Sequence, residues 1–228
     1  MKILSIDTSG MISSCSVMED GKIIGEFNIN QKRTHSETLV PMIKELLDKL
    51  GLSTNEIDLY AVGKGPGSFT GLRIGMTVAK TLAMVFDKDI IGVSTLKSIA
   101  RGVYSPEKIV SIIDARGGRV YYGIYQWKDK TLEGIESEDL IYFEDLAEKL
   151  KSTNEKYLFV GDVDDFIDDI SELGYEYIEN LNTNIASNIS KIAYENKDEA
   201  KKDYLDLKPE YIRKSQAQRD LENKKCIE

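Results

Sequence analysis

Two stretches of this sequence close an apolar run in the same way: Ile6-Asp7-Thr8-Ser9-Gly10 and Ile113-Asp114-Ala115-Arg116-Gly117. Each holds the same place in a matching order of elements, which makes duplication of one α/β unit a better account than coincidence. In the first half KILSID, SSCSVM and KIIGEFNI read as strands, with Asp20-Gly21 as the hairpin turn between the second and third. Leu39, Met42, Ile43, Leu46, Leu47 and Leu50 then follow helical spacing from Ser36 to Leu50, and Gly51 supplies a left-handed end. IDLYAVG reads as a fourth strand, Phe69 to Phe86 as a long helix, and Ile90 to Val93 as a short strand. The second half repeats the order with KIVSIID, RVYYGIYQW, TLEGIE, a helix near Phe143 to Leu150, strand KYLFVG and a helix near Asp165 to Leu173. The expectation is therefore α/β, two lobes of duplicated βββαβα, at residues 1–103 and 104–228, with a helix from Asn184 to about Tyr194 and a polar C-terminal tail.

At 228 residues, 41% of them apolar, the chain can bury a core of its own. Its formal charge of −9 argues against general binding to nucleic acid or an anionic membrane, both of which need clustered Lys and Arg; RNA is expected to reach it only through a partner. The longest apolar stretch, IGMTVAKTLAMVF, is too short to span a bilayer and carries Lys80, and the start MKILSIDTSG holds no signal-peptide core. A cytoplasmic protein is expected, with no membrane partner. Cys15 and Cys226 read as reduced thiols, and His35, the single histidine, leaves no site that needs two imidazoles.

The stretch KGPGSFTGLRIG, from Lys64 to Gly75, has the composition of a loop whose backbone must come close to something. A phosphate at the helix N-terminus is one reading, although the glycine spacing matches neither common phosphate fingerprint. A second needs no ligand: Gly65-Pro66-Gly67 turns the chain and Ser68 caps the helix. In the third, Gly71, Gly75, Ala79 and Ala83 form a small-residue stripe on a helix that is apolar nearly all round, so that another backbone can approach. With the preceding helix this gives a two-helix docking surface comprising Leu39, Met42, Ile43, Leu46, Gly71, Leu72, Arg73, Gly75, Met76, Ala79, Leu82 and Ala83. A like pair from a second molecule would complete a four-helix contact, which makes a homodimer the expected state. The competing reading buries the pair under the chain's own second lobe. Arg73 reads as an anion ligand or an interface salt-bridge partner, since a cation near a helix start calls for something acidic to compensate it. Thr34 with Glu37 forms a possible capping box, Ser36 is the other possible cap, and His35 reads as a helix-entry or interface residue.

Taken together, IDTSG, THSETLVPMI, GPGSFTGLRIG, SIIDARGGRVY and KPEYIRK resemble the TsaB family, once called YeaZ, within the actin, sugar kinase and Hsp70 ATPase superfamily. The resemblance covers nearly the whole chain. It implies a non-catalytic paralogue of the transferase TsaD, which it binds and stabilises, with the ATPase TsaE joining them and TsaC supplying threonylcarbamoyl-adenylate. The modified base is adenosine 37 of tRNAs that read codons beginning with A.

Within such a fold Asp7, Thr8, Ser9, Asp114 and Arg116 could hold a nucleotide, with ATP or ADP and magnesium possible at the complex, though none is required. The plainer reading has Asp7, Thr8 and Ser9 bonding their own backbone in a turn. It is favoured because Val160-Gly161-Asp162-Val163 would crowd an adenine. Thr95 and Ile99 stand where the paralogue carries its metal-binding imidazole pair, so no metal site is expected. Arg116, Arg119, Tyr211 and Arg213 are further candidates for a nucleotide or RNA shared with the partner. The rivals are an ATPase or phosphotransferase using Asp7 and Asp114, and a glycopeptidase, which the missing imidazoles disfavour.

Overall fold

The computed structural model describes residues 1–30, 34–179, 186–202 and 204–212; Arg213 and Cys226 lie outside them. The first half forms β1 (Lys2–Asp7), β2 (Ser13–Glu19), β3 (Lys22–Ile29), α1 (His35–Leu50), β4 (Leu59–Gly65), α2 (Phe69–Val85), β5 (Asp89–Ser94) and α3 (Thr95–Ala100). The second forms β6 (Lys108–Asp114), β7 (Arg119–Lys128), β8 (Thr131–Gly134), β9 (Asp139–Tyr142), α4 (Phe143–Lys151), β10 (Tyr157–Gly161), α5 (Ile167–Glu172), β11 (Glu176–Tyr177) and α6 (Ala186–Glu195). This is the expected duplicated α/β fold. Each unit runs one strand and one helix beyond βββαβα, and β9 is an addition that pairs with β7.

The first sheet is ordered β3-β2-β1-β4-β5, with β1 antiparallel to β2 and parallel to β4. The second repeats this about β6, as β8-β7-β6-β10-β11. Central strands of such sheets are covered on both faces and so are buried without alternation, as residues 3–7 and 59–63 are. Asp20 and Gly21 take positive φ of 46° and 81°, the conformation a two-residue hairpin needs.

The two units exchange their last helices. α3, from the first half, packs Leu96, Ile99 and Ala100 against Ile109, Tyr125 and Val160 of the second sheet. α6, from the second half, packs Ile189, Ile192 and Ala193 against Ile3, Leu59, Ala61 and Val93 of the first. The boundary drawn at residue 103 thus departs from the packing, because α6 belongs by contact to the first lobe. The reason is coverage: α1 and α2 bury one face of the first sheet, and α6 brings the apolar surface for the other. Asn188 Nδ2 of α6 donates to the Ser98 carbonyl of α3 at 3.1 Å, and Arg101 pairs with Glu195 at 2.9 Å, so the exchanged helices also hold each other.

Local expectations are refined at two helix starts. Thr34 precedes α1 but its hydroxyl makes no cap; it accepts from Ser36 Oγ at 3.1 Å, and the Glu37 N–H goes to the Thr34 carbonyl at 3.0 Å. The helix expected from Asp165 to Leu173 opens as a tight turn over Asp164–Phe166 before α5.

The glycine-rich loop approaches the chain's own backbone. Ser68 N–H donates to the Ser9 carbonyl at 2.7 Å, Thr8 Oγ1 donates to the Gly71 carbonyl at 2.7 Å, and Ser68 Oγ caps α2 by accepting from Gly71 N–H at 3.2 Å. A Cβ on Gly71 would overlap the Thr8 carbonyl oxygen, and one on Gly75 would overlap Thr8 Oγ1. The small-residue stripe therefore seats α2 on the turn after β1, and Ala79 and Ala83 continue it into the lobe's own core. Gly71→Ala, which helix propensity alone would reward, is expected instead to destabilise the fold by about 1–3 kcal/mol. A urea midpoint at or above that of the wild type would refute the backbone contact as the reason for Gly71.

Candidate docking surface and interlobe cleft

The residues proposed from sequence for docking separate into two depths. Leu39, Met42, Ile43, Leu46, Gly71, Leu72, Gly75, Met76, Ala79 and Ala83 are buried within the first lobe, most of them against Leu4, Ile6, Val17 and Val62 of its sheet. Neither the second lobe nor a partner is needed to cover them. Arg73 is exposed and Leu82 half-buried. Helical phase explains the division, since a pair of helices lying on a sheet turns one stripe inward and keeps another out.

The outer stripe is itself apolar. Two adjoining hollows run between α1 and α2, one of about 480 Å3 lined by His35, Leu39, Val40, Phe69, Arg73, Ile74 and Val78, the other of about 460 Å3 lined by Val40, Ile43, Leu47, Leu52, Val78 and Leu82. They share Val40 and Val78 and so form one groove. Val40 is 55% exposed, and Met84 and Val85 extend the uncovered apolar surface at 58% and 65%. The sequence missed Val40 and Phe69 as surface residues; the register of Leu39 with Met42 and Ile43 on the inner face already places Val40 outside.

His35 anchors the entry to α1. Its Nε2 donates to the Gly10 carbonyl at 3.0 Å, which leaves Nδ1 to accept from Ser13 Oγ at 2.6 Å. Arg73 meets aromatic rings and a phenol rather than the acid expected: its guanidinium lies 3.9 Å from the Phe69 ring centroid and its Nε donates to Tyr211 Oη at 2.9 Å. Tyr211 is thereby joined to α2, whereas Arg116 and Arg119 share a turn of the second lobe, where Arg119 Nε donates to the Arg116 carbonyl at 3.5 Å.

The repeated aspartates form the same turn in both lobes. Asp7 Oδ1 accepts the Ser9 N–H at 2.8 Å, and Asp114 Oδ1 accepts the Arg116 N–H at 2.7 Å. Asp7 is fully buried with its Oδ1 close against Gly63, and among the described residues its Oδ2 has no hydrogen-bond partner. Burial pushes its carboxyl above the usual carboxylate range, against the opposing pull of the Ser9 N–H. A magnesium ion keeps several waters, and a carboxylate at zero exposure leaves them no room, so the surroundings of Asp7 do not fit a hydrated magnesium. In the second lobe Asp162 accepts the Asp114 N–H at 3.1 Å; burial raises its carboxyl as well, helped by nearby Asp114.

Between the lobes lies a polar cavity of about 520 Å3 lined by Lys64, Ser94, Lys97, Tyr125, Glu136 and Glu138, with Glu210 at its edge. Ser94 Oγ and Tyr125 Oη both donate to Glu138, Lys64 is paired with Glu210 at 2.7 Å, and Glu136 with Lys149 at 2.5 Å. A polyphosphate would meet three carboxylates here. Ile99 is in the core and Thr95 is buried, so neither position offers a ligand. Among the described residues no three His, Cys, Asp or Glu side chains are gathered as a metal site, and no helix is long and apolar enough to cross a membrane.

Two βββαβαβα units with exchanged end helices and an aspartate turn closing the first strand of each define a protein of the actin, sugar kinase and Hsp70 ATPase class. The family described as TsaD, tRNA N6-adenosine threonylcarbamoyltransferase, matches residues 22–220. The tRNA threonylcarbamoyladenosine biosynthesis protein TsaB of Bacillus subtilis is 33% identical over 223 residues, 96% of either chain. That of Escherichia coli is 34% identical over 165 residues, 71% of either chain. YeaZ from Pseudomonas aeruginosa superposes with a TM-score of 0.77 at 24% identity, covering 92% of this chain and 99% of that one, and so shares the fold. The chain belongs to the TsaB family.

A raised Asp7 pKa means that the folded state keeps its proton to higher pH than the unfolded one, so stability is lost as pH rises above the ordinary value near 4. Asp7→Asn removes that slope while keeping the acceptor for Ser9. It is expected to raise Tm by roughly 2–4 °C at about pH 7, for a gain of about 1 kcal/mol, with the difference closing towards about pH 4. A lower Tm at neutral pH in calorimetry would mean that the ionised carboxylate is satisfied by a bound cation, and would revive the nucleotide reading.

Proposed function

We propose that this protein is a non-catalytic accessory subunit of tRNA threonylcarbamoyladenosine biosynthesis that binds and stabilises the transferase TsaD for modification of adenosine 37 in tRNAs reading codons that begin with A. One observation carries the reading: α1 and α2 bury their inner residues against one face of the first sheet and still leave an apolar groove along their outer side. A patch of this kind on a chain of charge −9 marks a protein partner rather than RNA. The occupant is TsaD. The match of its family to residues 22–220 supports an equivalent helix pair on that partner, able to pack here as the other half of a four-helix contact. A homodimer would use the same face and compete for it.

The rest of the assembly follows from this role. TsaE joins the pair, TsaC supplies the threonylcarbamoyl-adenylate upstream, and tRNA is reached only through the complex in the cytoplasm. This chain needs no cofactor of its own, and any ATP or ADP with magnesium is held at the complex; the burial of Asp7 supports that reading. The paired charges of the interlobe cavity and the buried Ile99 give an ATPase or a glycopeptidase reading no comparable support.

Met76 is a core residue at 3% exposure, so a charge there would report on folding; Val40 is the informative position. Val40→Glu is expected to keep the wild-type fold by circular dichroism and to weaken association with TsaD by roughly tenfold or more. Threonylcarbamoyl transfer reconstituted with TsaC, TsaD and TsaE should need this protein and fail with the variant. Intact binding by Val40→Glu, or transfer by this chain in the absence of TsaD, would overturn the proposal.

A further inference from the structure

We propose that Arg73 is the charged recognition residue of the docking groove, held by Tyr211 so that its terminal amino groups receive a carboxylate on the docking partner; this rests on the docking reading above. Arg73 lies near the start of α2, whose first turn carries no acidic residue. Its guanidinium sits 3.9 Å from the Phe69 centroid and 5.9 Å from that of Tyr211, the two rings being 4.8 Å apart. Nε is used in the bond to Tyr211 Oη at 2.9 Å. The terminal amino groups, which carry the donors suited to a carboxylate, meet no acid among the described residues.

Tyr211 is itself held in place. After α6 the chain runs back over the edge of the first sheet: Lys201 and Ile90 exchange backbone hydrogen bonds of 3.0 and 3.2 Å, and Tyr204 Oη donates to the Lys88 carbonyl at 2.9 Å. Leu207 lies against Gly92, the Glu210 N–H donates to the Lys64 carbonyl at 2.7 Å, and the Glu210 carboxylate pairs with Lys64 Nζ at 2.7 Å. This strap fixes the phenol, the phenol fixes the guanidinium, and rotamer freedom that an arginine would lose on docking is already lost in the free protein.

The partner's chemistry follows from the surroundings. Leu39, Val40, Ile74 and Val78 make the wall beside Arg73 apolar, so a partner that covers the groove also takes water from the guanidinium. A desolvated cation is tolerated only when paired, and the planar fork matches a carboxylate in two parallel hydrogen bonds. The occupant is therefore an apolar helix surface of the transferase subunit with an Asp or Glu at its rim.

The test is calorimetric titration of the full-length protein into TsaD at about 0.05 and 0.5 M salt, for the wild type, Tyr211→Phe, Tyr211→Ala, Arg73→Gln and Arg73→Gln with Tyr211→Ala. Arg73→Gln is expected to weaken binding on the order of tenfold at low salt and by a similar factor at high salt, because a pair taken out of water is little screened. The Tyr211 variants should show a smaller loss with the same salt dependence and no further loss in the Arg73→Gln background. Tyr211→Phe keeps the ring stack and removes only the hydroxyl, so its loss reports on positioning rather than folding. Wild-type binding by the Tyr211 variants, a loss for Arg73→Gln that vanishes at high salt, or a Tyr211 loss additive with Arg73→Gln would overturn the proposal, as would an effect confined to self-association of this chain. If Val40→Glu abolishes binding while the Arg73 and Tyr211 variants bind normally, only this inference falls; if Val40→Glu binds normally, the docking reading falls and takes this one with it.

Discussion

Backbone meets backbone where the turn after β1 touches the start of α2, and the rest of the first lobe is arranged around that contact. Gly71 and Gly75 leave no side chain between the helix and Thr8, and the Thr8 hydroxyl and Ser68 N–H close hydrogen bonds across the gap. A helix held this close to the sheet has its phase fixed. Its inward residues Leu72, Met76, Ala79 and Ala83 are committed to the core, and Arg73, Ile74 and Val78 are committed to the outside. Since α1 packs beside it in the same layer, the groove between the two helices is a consequence of that contact.

The same economy of coverage accounts for the two-lobed architecture. Each sheet needs apolar surface on both faces, and neither half of the chain provides it alone for its own sheet. α3 and α6 cross between the halves to fill the deficit, and their polar contacts, Asn188 to Ser98 and Arg101 to Glu195, tie the lobes together at the crossing. A pair of lobes joined this way is suited to holding a surface in fixed orientation.

Much of the fold could be read in the sequence because its signals are local. The strands Lys2–Asp7 and Lys22–Ile29, the Asp20-Gly21 hairpin, the end of α1 at Gly51 and the capping of α2 by Ser68 each depend on residues within a few positions of one another. The aspartate turns were legible for the same reason, since each carboxylate bonds an N–H two residues ahead. The residues of the groove were legible only as a pair of apolar helices. A helix that is apolar nearly all round gives no internal indication of which stripe a sheet will take, and Leu39 and Val40 are equally apolar neighbours.

The sequence by itself determined the duplicated α/β class, the family, the two adjacent apolar helices and the absence of an imidazole pair at Thr95 and Ile99, because each follows from residue identity and short-range spacing. Only the tertiary structure decided that the small-residue stripe faces Thr8, that α6 covers the first sheet, and that Tyr211 reaches back to Arg73 across 138 positions of chain. Those outcomes depend on which distant surfaces find each other when every sheet face must be covered, and that is a property of the packed whole.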